Sequence, residues 1–348
     1  RQKTVQRLFE ILPGLTSWTI LAGMLILSFV RPLTAAIFVI AFDFYWLLRL
    51  LYATIFLILS YFRLSVEEKT DWMDRVSSLG RLGQAVDGGS YSSVRPGSFN
   101  RTAAAVPGGS GSPGMRGLIS HWIYLQELEI LRKAKAVPPP SKDIRHLVLL
   151  PVTRESREVM EPGLQSLAHQ KFPPEHMLIV IALEERASPE VKAGIHALQE
   201  AYRASFLDLL VVEHPDGVAG EARVKGANVT FAARQAAEFF EKKKIRFENI
   251  IASCFDADTV VSPDYFSCLT YSFMACTERT QASFQPIPVY HNNIWEAPGF
   301  SRVLEMGSSF FQLSEATNPD KLVTFSSHSM SFKALVDVGY WPVDMISD

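Results

Sequence analysis

The sequence is poor in cysteine and in charge. Its 348 residues include three cysteines without a Cys-x-x-Cys pair, which argues against a disulfide framework and against a zinc site. The formal net charge is −2, so bulk attraction to a polyanion such as nucleic acid is not expected. Charged residues make up 20% of the chain and apolar residues 48%. Because soluble domains carry roughly 25% charged residues, this balance indicates apolar segments outside a water-soluble core.

Two long apolar runs lie near the start of the chain. The run 11–30 contains no charge, and the run 33–62 contains only Asp43 and Arg49. A helix of about 20 apolar residues crosses the hydrocarbon core of a bilayer. A signal peptide is the competing interpretation of the first run, but that run is too long and a second follows at once. We therefore predict a transmembrane hairpin over 1–62, in which the two charges are either functional or close to an interface.

Basic residues set the predicted orientation of this hairpin. Arg1, Lys3 and Arg7 precede the first run, and basic residues near span ends favour the cytoplasmic side. Two crossings return the chain to that side. The sequence thus predicts a multi-pass protein of the plasma (inner) membrane, with everything after residue 62 in the cytosol.

The segment 63–142 is predicted to be a cytosolic linker. Half of the chain's 20 glycines lie in 77–117, together with many serines, and this composition is typical of a flexible loop. Apolar residues then recur at helical spacing over 118–136, among them Leu118, Trp122 and Leu125. Such an amphipathic helix either packs on the following domain, which we favour, or lies on a membrane surface.

From residue 143 onward, apolar strands alternate with helical segments. The strands are short and apolar without alternation, as expected for a parallel sheet covered on both faces. This pattern predicts a doubly wound α/β domain over 143–348, with its ligand site at the carboxyl ends of the strands. The predicted strands are 146–152, 177–183, 207–213 and 250–255, and the predicted intervening helices are 159–169, 189–205 and 222–241.

Polar side chains follow the predicted strands. Asp256 and Asp258 come directly after the fourth strand, Thr153 and Glu155 after the first, and Glu184 after the second. Carboxylate oxygens are ligands for Mg²⁺ or Mn²⁺, and such an ion would bridge the phosphates of a nucleotide. Helix capping and solvated turn charges are the alternative interpretation.

A glycine-containing turn that begins at 214 leads into the predicted helix 222–241, whose first turns carry Lys225 and Asn228. A cation and free backbone N–H groups at a helix start can hold phosphate oxygens. The spacing of a P-loop is absent.

An ordered set of motifs resembles the inverting membrane glycosyltransferases of family 2, which include the cellulose, chitin and hyaluronan synthases. The motifs are PVTRESREV, SLAHQKFPPEHMLIVIALEER, KGAN, FDADTVVSPDYF and VGYWPVDMISD. The resemblance covers 143–348 and implies a GT-A fold. Glu184 and its neighbours stand where many relatives have an aspartate-rich turn.

The resemblance implies a role for each matching residue. Thr153 and Glu155 would border the nucleoside, Glu184 is a further donor-binding candidate, and Lys225 and Asn228 would contact the donor diphosphate. Asp256 would bind donor and metal together with Asp258, the metal being Mg²⁺ or Mn²⁺. Two acceptor contacts, His328 and Trp341, and the first acid of a pair that bears the catalytic base, Asp348, complete the set of implied site residues. The base itself, and further spans, are expected beyond residue 348.

The predicted activity is transfer of a sugar from a nucleotide-sugar donor to a polysaccharide or lipid-linked acceptor, with inversion. A lipid-phosphate glycosyl carrier synthase is the enzymatic alternative. A catalytically silent, membrane-tethered nucleotide-binding scaffold is the alternative from a different class. The amphipathic segment 300–315 is expected to pack in a core or on a membrane surface.

Overall fold

The computed structural model describes residues 2–87, 115–289, 294–295, 297–317 and 327–344. The chain divides into two compact units. One comprises Arg1–Tyr61 with Leu313–Asn318, and the other comprises Phe62–Gln312 with Pro319–Asp348.

The first unit is built on two long apolar helices, α1 (Gln2–Val30) and α2 (Pro32–Glu67). Both are long and apolar enough to cross a membrane, and almost none of their apolar surface is buried within the protein. Hydroxyl groups within α1 donate to carbonyls one turn earlier, as Thr16 does to Leu12 at 2.8 Å. These hydroxyl groups therefore need no water. The predicted pair of apolar helices is confirmed, and their insertion in a bilayer stays a prediction.

The second unit is built on a six-stranded mixed sheet in the order β3-β2-β1-β4-β6-β5. The first four strands are parallel, whereas β6 runs antiparallel to both β4 and β5. In the register of the centre, Leu149 lies between Val180 and Cys254. The strands are β1 (Arg145–Val152), β2 (Met177–Glu184), β3 (Asp208–His214), β4 (Ile250–Cys254), β5 (Ser283–Phe284) and β6 (His328–Ser331).

Helices cover both faces of this sheet. Because alternate side chains of a strand point to opposite faces, Val148 and Leu150 of β1 enter one apolar core while Leu147 and Leu149 enter the other. This explains the continuous apolar runs and confirms the predicted α/β architecture. The remaining helices are α3 (Trp72–Asp87), α4 (Met115–Ala134), α5 (Arg157–Ala168), α6 (Pro189–Tyr202), α7 (Lys225–Lys242), α8 (Tyr265–Ala275), α9 (Gly299–Glu315) and α10 (Phe332–Asp337).

The structure differs from the prediction of a flexible loop over 77–117. Helix α3 extends to Asp87, since Val76 and Leu79 are fully buried in the core and fix this segment despite its glycines. Residues 88–114 of the predicted loop lie outside the described residues.

The predicted amphipathic helix over 118–136 is present as α4, which begins at Met115. Tyr124, Leu128 and Leu131 are buried in the same core as the first face of the sheet. This face of α4 therefore packs on the α/β domain, as the favoured alternative predicts. Trp122, on the opposite face of the helix, is exposed.

Candidate active-site cleft

A cleft of about 410 Å³ opens at the carboxyl edge of the parallel strands. Strand β1 has β2 on one side and β4 on the other. The connection that follows β1 leads to β2, whereas the connection that follows β4 leads to the opposite side of the sheet. Such a switch point opens a crevice between the strand ends. The lining residues are Pro151, Thr153, Glu155, Val159, Glu184, Arg186, Arg223, Val224, Lys225, Asn228, Asp256, Ala257 and Asp258.

An ion pair lies within the cleft. Lys225 begins α7, Asp256 follows β4, and Lys225 Nζ lies 2.6 Å from Asp256 Oδ1. The side chains are 29% and 46% exposed, and an ion pair this accessible to water contributes little to folding stability. A bound anion can therefore share the ammonium group at small cost. Asp258, two residues further along, is exposed.

Glu155 closes the turn after β1. Its Oε2 accepts hydrogen bonds from the backbone N–H groups of Thr153 and Arg154, at 2.7 and 2.9 Å. Burial alone would raise the pKa of Glu155, but these backbone donors outweigh it and hold the pKa below its usual value. Glu155 is thus a fixed carboxylate at neutral pH.

Glu184 ties the ends of β1 and β2 together. One of its carboxylate oxygens accepts a hydrogen bond from the Thr153 hydroxyl at 2.9 Å, and the other forms an ion pair with Arg186. These contacts orient the Thr153 hydroxyl at the cleft wall.

Asn228 is 2% exposed and occupies the first turn of α7. Its Nδ2 donates to the carbonyl of Ala182 in β2 at 2.7 Å, which fastens the start of α7 to the sheet. Its buried Oδ1 has no hydrogen-bond partner in the described part of the chain. Asn228, which is predicted to contact the diphosphate, therefore also makes a structural contact that holds the start of α7 to β2.

The carboxylates suit a divalent cation only in part. Among the described residues, no cluster of three or more His, Cys, Asp or Glu side chains is arranged to hold a metal ion. Asp256 and Asp258 nevertheless supply hard oxygen donors at the cleft, and Mg²⁺ commonly binds through one or two carboxylates plus substrate phosphates. The donor set therefore fits an ion that arrives with a diphosphate.

The predicted acceptor residues lie outside the lining of this cleft. His328 lies in β6 opposite Cys254, and it is 7% exposed. Trp341 is half-buried, and its backbone N–H and C=O both bond to the hydroxyl of Thr230 in α7.

Asp348 lies outside the described residues. The carbonyl of Val343 accepts a hydrogen bond from the N–H of Ala222 at 2.8 Å. The segment leading to the chain end therefore passes beside the turn that precedes α7 and the cleft.

Two charged residues of the cleft, Arg186 and Arg223, have no role predicted from the sequence. Arg223 pairs with Asp216 at 2.8 Å, across the turn before α7. Beside that pair, His214 Nε2 lies 2.9 Å from Glu221 Oε2. The sequence signal for both arginines is only their position next to a strand end or a helix start, because charge pairing across a turn cannot be read from spacing.

No family model matches the chain, and no curated protein matches it. Solved structures similar to it include a mannosyltransferase from Pyrobaculum calidifontis in complex with GDP-Man and Mn²⁺, at 15% identity and a TM-score of 0.40, covering 66% of this chain and 58% of that one. TarS (1–349) of S. aureus matches at 15% identity and a TM-score of 0.34, covering 59% and 52%. TarS was also solved with UDP-GlcNAc. The chain thus spans little more than half the length of these structures.

Proposed function

We propose that this protein is a membrane-anchored inverting glycosyltransferase that moves a sugar from a nucleotide-sugar donor to a polysaccharide or lipid-linked acceptor. The observation that carries the proposal is the pairing of Lys225 with Asp256 at the switch point of a parallel sheet, with Asp258 beside them. This places a cation and two carboxylates where α/β proteins bind nucleotides. The order of the motifs, which resembles family 2, supports the same conclusion.

The donor diphosphate is assigned to the Lys225 end of the cleft. An ammonium group forms charge-assisted bonds to phosphate oxygens, which are about twice as strong as neutral ones. The nucleoside is assigned to the wall formed by Thr153, Glu155 and Glu184, where oriented hydroxyl and carboxylate oxygens can accept hydrogen bonds from a base or a ribose.

Asp256 and Asp258 would hold Mg²⁺ or Mn²⁺ together with the donor. When bound, such an ion offsets the negative charge of the leaving diphosphate. Because this assignment gives the cation two protein carboxylates, we expect cation binding to be weak without nucleotide and to tighten with it. A titration of Mn²⁺ with and without UDP or GDP tests this, and equal affinity in both titrations would contradict it.

The proposed reaction is a single displacement. A carboxylate removes the proton of the acceptor hydroxyl as its oxygen bonds to the anomeric carbon, while the bond from that carbon to the diphosphate oxygen breaks. We assign Asp348 to the acidic group that supplies this base. The acceptor roles of His328 and Trp341 rest on the motif resemblance alone, since neither residue lines the cleft.

Anchorage is proposed to be through α1 and α2, with the sheet in the cytosol. A test uses a label on Lys243→Cys, an exposed position at the end of α7, in sealed inside-out and right-side-out vesicles. An impermeant reagent should label this position in inside-out vesicles. Labelling only in right-side-out vesicles would contradict the orientation.

The decisive experiment is direct donor binding by the full chain in lipid nanodiscs. Uridine and guanosine diphosphate sugars are titrated calorimetrically in Mn²⁺ buffer against wild type and Asp256→Asn. Asp337→Asn is the matched control, since Asp337 also pairs with a lysine, Lys333, but on the exposed surface of α10. We expect one donor class to bind, with affinity lost in Asp256→Asn alone. Binding without sugar transfer to any acceptor would favour a silent scaffold, and no binding by any variant would overturn the proposal.

A further inference from the structure

Helix α9 has its two faces reversed relative to an ordinary surface helix. Its apolar side chains face outward: Phe300 is 77% exposed, Val303 70%, Met306 55% and Phe310 58%. On the opposite side, Gln312 is buried and Ser308 is partly buried. A surface helix normally turns its apolar stripe toward the core, so water is an unfavourable neighbour for this outer face.

The polar side of α9 is held by contacts within the protein. Arg302 Nε donates to the carbonyl of Ala297 at 2.8 Å, and its Nη2 donates to the carbonyl of Trp295 at 2.9 Å. The guanidinium group also lies 5.6 Å from the centre of the Trp295 ring. The guanidinium group of Arg302 is therefore bonded within the protein. The exposed apolar face of the helix carries no charge.

The end of α9 is continuous with the unit that contains the apolar helices. Residues Leu313–Asn318 group with Arg1–Tyr61. Within that unit, the Thr317 hydroxyl lies 2.9 Å from the hydroxyl of Ser60, which is 2% exposed in α2. The chain just past the end of α9 is thus hydrogen-bonded to α2 within that unit.

We propose that α9 lies in the plane of the membrane with its apolar face among the lipid chains. This rests on the membrane anchorage in the proposed function. A contiguous exposed apolar face marks an interaction surface, and such a face in a chain that also carries a membrane anchor matches an interfacial helix. Since the outward face carries no cation, the contact is hydrophobic and does not require anionic lipid.

The test places an environment-sensitive fluorophore on single cysteines of the full chain in liposomes, with Cys254, Cys268 and Cys276 replaced by serine. The probe is attached to Val303→Cys or Phe310→Cys on the apolar face, and to Ser308→Cys on the other face as the matched control. Leu21→Cys in α1 reports on the anchor itself. Phosphatidylcholine vesicles with and without nitroxide-labelled acyl chains supply the quencher.

We expect quenching at positions 303 and 310 several-fold stronger than at 308, and unchanged when anionic lipid is added. Quenching at position 21 without quenching at 303 and 310 would overturn the inference and leave the anchor intact. No quenching at position 21 would overturn the anchorage of the proposed function instead. If dilution into excess lipid restored quenching at 303, a second copy of the chain would be the occupant, and the lipid assignment would be wrong.

Discussion

Gly163→Ala should displace the turn that carries Asp256 and Asp258 of the proposed donor site. Gly163 lies in α5, and a Cβ atom added there would lie 2.8 Å from the carbonyl oxygen of Thr259, just past the Asp256–Asp258 pair. An ordinary contact begins at 3.4 Å, so one backbone segment must move by about 0.6 Å. A side-chain rotation cannot relieve this contact. The added Cβ atom is fixed to the backbone of α5, and the Thr259 oxygen is part of the backbone of the turn.

The magnitude follows from two opposing effects. Overpacking a close contact costs about 1–3 kcal/mol, while replacing a helical glycine by alanine gains about 0.5–1 kcal/mol. We expect a net loss of roughly 0.5–2 kcal/mol in the free energy of unfolding. Because a shift of about 1 Å in a catalytic group can cost about 100-fold, a smaller shift of Asp258 should weaken donor binding about tenfold.

The assay combines thermal unfolding with donor titration in nanodiscs. Gly307→Ala is the matched control, since Gly307 is also helical and no atom lies within 4 Å of its added Cβ. The control should gain about 0.5–1 kcal/mol and bind donor like wild type. If Gly163→Ala were as stable as wild type and bound donor equally well, the proposed link between α5 and the carboxylate turn would be refuted.

Two further predictions concern titrating groups. Because backbone donors lower the pKa of Glu155, its carboxylate stabilises the fold above its usual pKa of about 4.3, and this contribution is lost as the pH falls through the lowered value. Wild type should therefore be more stable than Glu155→Gln at pH 7, and in denaturant titrations the difference should shrink as the pH falls below about 4.3; a difference that does not change with pH would contradict it. Burial raises the pKa of Cys254 to about 11, so its thiol should resist alkylation at pH 8 in the folded protein, as peptide mapping can show. Rapid modification of Cys254 under native conditions would contradict that burial.

The parallel strands could be predicted because they are buried on both faces and read as unbroken apolar runs. The carboxylate turn could be placed because it follows such a run. Strands β5 and β6 could not, since Ser283–Phe284 and His328–Ser331 are short and mostly polar. Their hydroxyl groups are satisfied inside the sheet, as Ser329 is by Ser253 at 2.7 Å, and nothing in the sequence marks that pairing.

Several residues that line the cleft could be predicted from the sequence, but how they pair could not. Lys225 and Asp256 were both identified, yet their ion pair depends on how α7 meets the end of β4. No role could be predicted for Arg186 and Arg223, because a basic residue near a strand end is common. The helix over 77–87 was misjudged because glycine and serine content outweighed the buried Val76 and Leu79.

The central claim is that Lys225 holds the donor diphosphate, and donor affinity of Lys225→Ala tests it most directly. Loss of a charge-assisted bond to phosphate costs about 1.5–3 kcal/mol, or roughly ten- to a hundredfold in the dissociation constant. Lys225→Arg should recover only part of this, since a planar fork replaces a compact ammonium group. Lys333→Ala, which removes a lysine paired with Asp337 on α10, is the control and should bind like wild type. Equal donor affinity of Lys225→Ala and wild type in Mn²⁺ buffer would contradict the assignment of the cleft.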